Sequence, residues 1–289
     1  MVYTEEGLKK LEDKHLELQL SYQTLIGRLL KLSQALENDR AREYLNHGLM
    51  RRLNIVVRCI DNIFELFPPN NDSQLSADQR NDLCINLHSF FINIAGILDN
   101  IAWVIAFEHG LYIDTKGNRK MNRGEIGLFG KSKLRKHIPY GLKKYLDQKE
   151  IKEWYTNYSK NFRDALAHRI PLYVPPAVLS EGEAREYQAL DEQFQTLDLS
   201  TSEGIEEWGK ILDAQKGLGI AQPFFTHSTH IDEGGSTVYL HPQVLSDFET
   251  IKALIEMLID CEITRPQPNT DEGLSGSIND NFTNPQQPE

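Results

Sequence analysis

Residues 8 to 36 carry an unbroken seam: Leu8, Leu11, His15, Leu18, Tyr22, Leu25, Leu29, Leu32 and Leu36, at alternating spacings of three and four. A period of about 3.5 residues marks a long helix that packs lengthwise against other helices. Such a stripe cannot be buried by its own helix, so the rest of the chain has to supply partners. A second helix places Leu45, Leu49, Leu53, Val56, Ile60, Ile63 and Phe67 on one face and stops at Pro68-Pro69, which cannot continue it. Ser76 is suited to cap a third helix that runs to about Glu108 and is apolar nearly all round, hence the most buried. Its central run, FFINIAGILDNIAWVIAF, approaches the length of a membrane span. Asn93, Asp99 and Asn100 in its middle make it a buried core helix instead. A fourth helix, from about Asp147 to His168, turns Ile151, Tyr155, Tyr158 and Phe162 inward. Four long helices with a long third connection predict a mainly α fold built as a four-helix bundle over residues 1–175.

Past Pro176 the pattern changes. Residues 181–195 and 202–215 read as short acidic helices, and PFFTHSTHIDEGGSTVYLHP as two strands around the turn DEGG. Val244 to Cys261 is amphipathic. Residues 176–263 therefore form a small helical and β-hairpin extension packed on the bundle. The tail 264–289 is polar and proline-bearing, with almost nothing to bury, and is expected to be disordered.

Three well-separated cysteines, Cys59, Cys84 and Cys261, fit a reducing compartment better than a disulfide framework or a zinc site. MVYTEEGLKK has neither the basic nor the apolar region of a secretory leader, so a cytoplasmic protein that does not enter membranes is expected. The formal net charge of −11 argues against a protein that coats nucleic acid generally. The connection 114–146 is the exception, because between residues 116 and 144 ten lysines and arginines face one acid, Glu125. Such a segment on an acidic body is a candidate track for a phosphate backbone, with Lys131, Lys133, Arg135 and Lys136 at its centre. The competing reading is a solvated loop.

No phosphate-binding glycine loop, HExxH or nucleophile elbow is present, and no cofactor is expected. His227, His230 and His241 fall within one predicted hairpin. Residues three apart on a strand face opposite ways, so His227 and His230 read as polar hairpin residues rather than metal ligands. His15, in the leucine seam, reads as a satisfied core histidine.

The chemistry-bearing stretch is RDALAH, where Arg163, Asp164 and His168 meet a helix end that Pro171 enforces. Asp164 lies one turn from His168 and can orient its imidazole. Arg163 is about 140° from His168 around an ideal helix. A guanidinium that stabilises an oxyanion and an imidazole that moves a proton suit phosphodiester chemistry.

The Arg163-Asp164-(Ala165, Leu166, Ala167)-His168 pattern resembles the signature of HEPN domains, in which an arginine, often followed by a polar residue, precedes a histidine. The resemblance covers residues 1–175 as architecture and these six positions as motif. It implies a metal-independent endoribonuclease of a bacterial defence or toxin–antitoxin type, with RNA as substrate and the motif near a homodimer interface. Non-catalytic members act as RNA-binding or interaction modules, or as partners of nucleotidyltransferases in toxin systems. In that reading Arg163 and Asp164 pair with neighbouring helices, and His168 caps its helix. A purely structural protein dimerising through the leucine seam is the third alternative. The same spacing recurs in Arg42-EYLN-His47, where Glu43, His47 and Arg51 also share a helix face; a solvated, salt-bridged surface is its plainer reading. HRIPLYVPP, which follows the motif, has no role assigned by the sequence.

Overall fold

A computed structural model describes residues 3–71, 73–113, 117–130, 133–228 and 237–261. The tail 264–289, Lys131, His230 and the DEGG turn lie outside the described residues.

The seam helix is α1 (Glu5–Ala35), capped by Thr4, whose hydroxyl accepts the Gly7 N–H. Leu11, Leu18, Leu25, Leu29, Leu32 and Leu36 are all buried. His15 at the seam's edge bonds Asp61 (Nε2 to Oδ1, 2.8 Å) and stacks on Phe64. Asn38 then caps α2 (Asp39–Glu43), and the chain runs without a break through a π-helical stretch (Tyr44–Met50) into α3 (Arg51–Leu66). Every apolar position expected to face inward here, from Leu45 to Phe67, is buried.

The third helix, α4 (Ala77–Glu108), begins with a capping box in which Ser76 and Gln79 satisfy each other's backbone N–H groups. By length and composition α4 could cross a membrane, but 72% of its most apolar window is buried inside the protein. It is the hub of the core, with α2 and α3 on one side and the motif helix on the other.

After α5 (Tyr140–Leu146), the fourth long helix is built from α6 (Lys149–Glu153), a π-helical stretch (Trp154–Ser159) and α7 (Lys160–His168). Two acidic helices follow, α8 (Glu181–Gln195) and α9 (Ser202–Lys216), packed on each other. Strand β1 (Phe224–Phe225) pairs antiparallel with β2 (Val238–Tyr239), in the register Phe224 to Tyr239 and Phe225 to Val238.

The last helix, α10 (Leu240–Asp260), starts four residues before the expected position. Pro242 lies within its first turn, where a missing N–H is tolerated, so Leu240 and His241 are helical rather than strand residues. The α10 helix runs along α1, with Arg28 bonded to Asp260, and also reaches α3, α4 and α5. It thus adds a fifth long helix to the one core. The seam leucines of α1 are thus buried within the chain itself, against α10 and the Tyr44–Met50 stretch.

HRIPLYVPP acquires a structural account. Residues 169–178 leave α7 extended, and Tyr173 exchanges both backbone hydrogen bonds with Thr226 (2.8 and 3.0 Å). His88 Nε2 lies 2.7 Å from the Leu172 carbonyl, while Leu172 and Val174 enter the core. The stretch is a strap between α4 and the hairpin, held straight where helix would leave its carbonyls misplaced.

Candidate functional site

The motif helix is fixed from beneath by aromatic packing. Phe162 is fully buried and stacks on Phe91 of α4, with ring centroids 5.0 Å apart, and it meets Phe225 of β1 edge-on. Truncating such a side chain typically costs about 3–5 kcal/mol. Earlier on the same long helix, Trp154 Nε1 (2.8 Å) and Tyr158 Oη (2.6 Å) donate to the carboxylate of Asp247 on α10, as does Gln243 Nε2 (2.9 Å) of α10 itself. Asp247 is fully buried. Burial pushes its carboxyl up to about 6, against the pull of the three donors. The Tyr158 phenol is pushed far up by its own burial and by that carboxylate.

Directly above this anchor lies a partly enclosed notch of about 50 Å³, lined by Asp99 of α4, Tyr155, Ser159 and Arg163 of the motif helix, and Gly127 to Phe129 of the glycine-rich connection. The volume suits one or two water-sized groups. A larger ligand would have to lie across its mouth. Phe129 stacks face to face on Tyr155 at 3.9 Å, which pins the connection over the motif helix. Desolvation by these walls raises the Asp99 carboxyl above the usual carboxylate range, against the attraction of Arg163 and Arg52. Arg163 Nε lies 3.2 Å from Asp164 Oδ1 but is not aligned into a hydrogen bond, and that buried nitrogen has none. Asp164 also reaches Lys160 at 4.0 Å. Among the described residues, the acid of the motif thus pairs within its own helix, with Arg163 and Lys160, rather than with neighbouring helices.

His168 occupies the last turn of α7 and is exposed, and it makes no hydrogen bond among the described residues. Since α7 is regular, Arg163 and His168 leave it about 140° apart. Arg169 turns back instead, bonding Asn161 Oδ1 at 2.6 Å, and Asn161 contacts the buried His227. His227 and His241 are held in different surroundings: His227 meets Asn161 and Phe162, whereas His241 bonds the Phe67 carbonyl at 2.6 Å. Among the described residues no cluster of three or more His, Cys, Asp or Glu could hold a metal.

The second motif is organised differently. Arg42 spends its guanidinium on the Leu36 carbonyl (2.7 Å) and on Asp39, closing the corner between α1 and α2. His47 lies in the π-helical stretch and, like Glu43 and Arg51, is exposed; no ion pair joins the three among the described residues.

In the basic connection, Lys133 pairs with Glu125 at 2.6 Å. Arg135 bonds the Leu128 carbonyl and Asp147 (2.7 Å), so it braces the loop that walls the notch. Lys136 is exposed and has no ion pair among the described residues.

The sequence reading did not name Asp99, Tyr155 or Arg52 as site residues. Arg52 bonds Asn93 (3.1 Å) and Asn100 (3.2 Å) between α3 and α4. Their signal was the three polar residues in an otherwise apolar helix: such groups need partners when buried, and here those partners are the two arginines. No known family model, curated protein or solved structure matches this chain.

Proposed function

We propose that the protein is a HEPN-like, metal-independent endoribonuclease whose working residues are Arg163 and His168. The single observation that carries this reading is the notch. An arginine whose buried Nε is ion-paired with Asp164 but makes no hydrogen bond lines it together with Asp99 and the basic connection, with an exposed histidine at the end of the same helix. The ribose 2′-oxygen attacks the adjacent phosphorus as the P–O5′ bond breaks; the 2′-hydroxyl loses its proton, His168 gives one to the departing 5′-oxygen, which leaves as a 5′-hydroxyl, and Arg163 compensates the charge that develops on the phosphoryl oxygens. Asp164, itself paired with Lys160, holds the arginine in place. Lys136, with Lys133 at its side, receives the strand.

The angular separation of Arg163 and His168 favours a homodimer in which one copy's arginine and the other's histidine serve one phosphodiester. Ile85 and Ile92, exposed on the outward side of α4, give a second copy apolar surface to cover. The non-catalytic alternative, an RNA-binding or protein-interaction module, draws support from the same basic connection and from the absence of any contact between Asp164 and the His168 imidazole among the described residues.

The deciding experiment is incubation of the full chain with mixed RNA in EDTA. The expected result is cleavage that leaves 2′,3′-cyclic phosphate ends, because no water takes part in the first step. Intact RNA at high enzyme concentration would leave the binding alternative.

A further inference from the structure

Two turns beyond Asp99 along α4, the polar surface takes a different form. Tyr112 follows the end of α4; the residue is 5% exposed, and its ring packs edge-on against Trp103 (4.9 Å) and Phe107 (5.7 Å). Arg40 of α2 lies over the other partner, with its guanidinium carbon 4.5 Å from the Phe107 ring centroid. Tyr112 and its neighbour Ile113 are bound to the returning chain: Lys120 N–H donates to the Tyr112 carbonyl (2.9 Å), and Ile113 bridges Arg119. Arg123 begins the short 3₁₀ turn Arg123–Glu125 and hydrogen-bonds the Tyr112 side chain. The ring is therefore held in place, and guanidinium groups from two pieces of chain, α2 and the returning connection, bear on its phenol.

Arg40, Arg119 and Arg123 are each exposed, and none is paired with a carboxylate among the described residues. This distinguishes them from Lys133 and Arg135, which the protein neutralises itself. Among the described residues, the Tyr112 phenol's pKa is lowered by its hydrogen bond with Arg123 and then by the positive charges of Arg119, Arg123 and Arg40. Three like charges held near one another, with no carboxylate paired to them among the described residues, are mutually repulsive, a cost that an arriving anion removes. Planar guanidinium groups present paired N–H donors that match phosphate oxygens, and a fixed phenol adds one more donor.

We propose that Arg40, Arg119 and Arg123, gathered around the Tyr112 hydroxyl, form a binding site for a phosphate group of a single-stranded RNA backbone. The choice of RNA rests on the function proposed above; the preference for a phosphate rests on the cluster. The eight residues from Asp99 to Phe107 span about 12 Å of helix axis. A strand seated here would cross the basic connection and reach the Arg163 notch within a few nucleotides. The site binds and aligns the strand, and has no part in bond breaking.

The test uses the full chain and a fluorescent 2′-O-methyl RNA of about ten nucleotides, which lacks the attacking hydroxyl and so reports binding alone. Anisotropy titrations at several salt concentrations compare the wild type with Arg119→Gln/Arg123→Gln, with Arg123→Lys, and with Arg58→Gln on α3 as a control. Inorganic pyrophosphate is titrated separately by calorimetry. The double variant is expected to bind about tenfold or more weakly, with the slope of log K against log salt reduced by about one. Arg123→Lys should be intermediate, and the control close to wild type. Thermal melting checks that the exposed substitutions leave the fold intact. If wild type and double variant bind RNA alike with equal salt slopes, the site is overturned and the ribonuclease reading stands. If pyrophosphate binds in an Arg119- and Arg123-dependent way but RNA does not bind, the RNA strand is overturned as ligand, along with the ribonuclease reading. If the wild type binds neither, both fail.

Discussion

A Cβ placed on Gly96 would collide with the guanidinium of Arg52, so the arginine of α3 fills the space that any other side chain at position 96 would claim. The guanidinium cannot step aside freely, because Asn93 and Asn100 hold it from α4. Gly96→Ala gains about 1 kcal/mol of helix propensity. It also breaks hydrogen bonds to a charged group, each worth about 1.5–3 kcal/mol. The expected net effect is a destabilisation of about 1–2 kcal/mol, read by denaturant unfolding. With Arg52→Ala present the clash is gone, and Gly96→Ala should then be neutral or stabilising. Additive effects of the two substitutions would show that they do not share this space.

Asp247 should impose a pH dependence on stability. Its folded pKa, about 6, is raised above the ordinary carboxylate value. Below about pH 4 it is protonated whether folded or not. As pH rises from about 4 to 6 the unfolded chain releases the proton while the native state keeps it, so this group's contribution to stability falls and levels off above about 6. The span corresponds to roughly 3 kcal/mol at most. Asn at this position retains an acceptor for Trp154 and Gln243 and a donor for Tyr158. Asp247→Asn should therefore fold and lose this component. The difference between its unfolding free energy and that of wild type, followed from pH 4 to 7, is the measurement. A constant difference would mean that Asp247 does not titrate in that window.

The helical frame was legible because its determinants are local and periodic. The seam from Leu11 to Leu36, the Ser76 cap and the stop at Pro68 each act within one or two turns. The π-helical stretches Tyr44–Met50 and Trp154–Ser159 were not legible, since a shift of hydrogen-bond register leaves no mark in composition. They reset the phase of everything that follows, which is why spacing alone could not say which face His47 or Arg163 would take. His241 was misplaced because an alternating pattern in a hairpin was extended across a helix start. The site was half legible. Arg163 and His168 stand out by type, and Asp99 by polarity in an apolar helix, but that Asp99, the Gly127–Phe129 loop and Arg163 line one notch is a long-range fact. The same holds for Arg135: its charge was visible, its commitment to Asp147 was not.

The Tyr112 phenol gives a spectroscopic handle on the arginine cluster. Its pKa lies below the ordinary tyrosine value, first because of the Arg123 hydrogen bond. Arg123→Gln removes that bond and one of the charges, so the phenol should titrate at higher pH, closer to about 10. Tyrosine-selective labelling and a resonance assigned by Tyr112→Phe would follow it. An unchanged titration in Arg123→Gln would mean that the guanidinium does not hold the phenol in solution.

The catalytic reading makes its strongest demand on pairs of variants. His168→Ala removes an exposed side chain, so it should melt like wild type while losing about 10² to 10⁴ in cleavage rate, the usual worth of a positioned proton-transfer group. Arg163→Lys keeps the charge but not the planar pair of donors, and should be similarly impaired. His47→Ala, in the second motif, should cut as wild type does. Arg163 and His168 diverge on α7, so a working site assembled between two copies draws its arginine from one and its histidine from the other. Mixing inactive His168→Ala with inactive Arg163→Lys under conditions that exchange subunits should then restore part of the activity, and light scattering should report a dimer. A monomer at micromolar concentration, or a mixture as inactive as its components, would eliminate the shared site. Both residues would then have to reach one phosphodiester from a single helix, and the divergence at Arg163 and His168 argues against that.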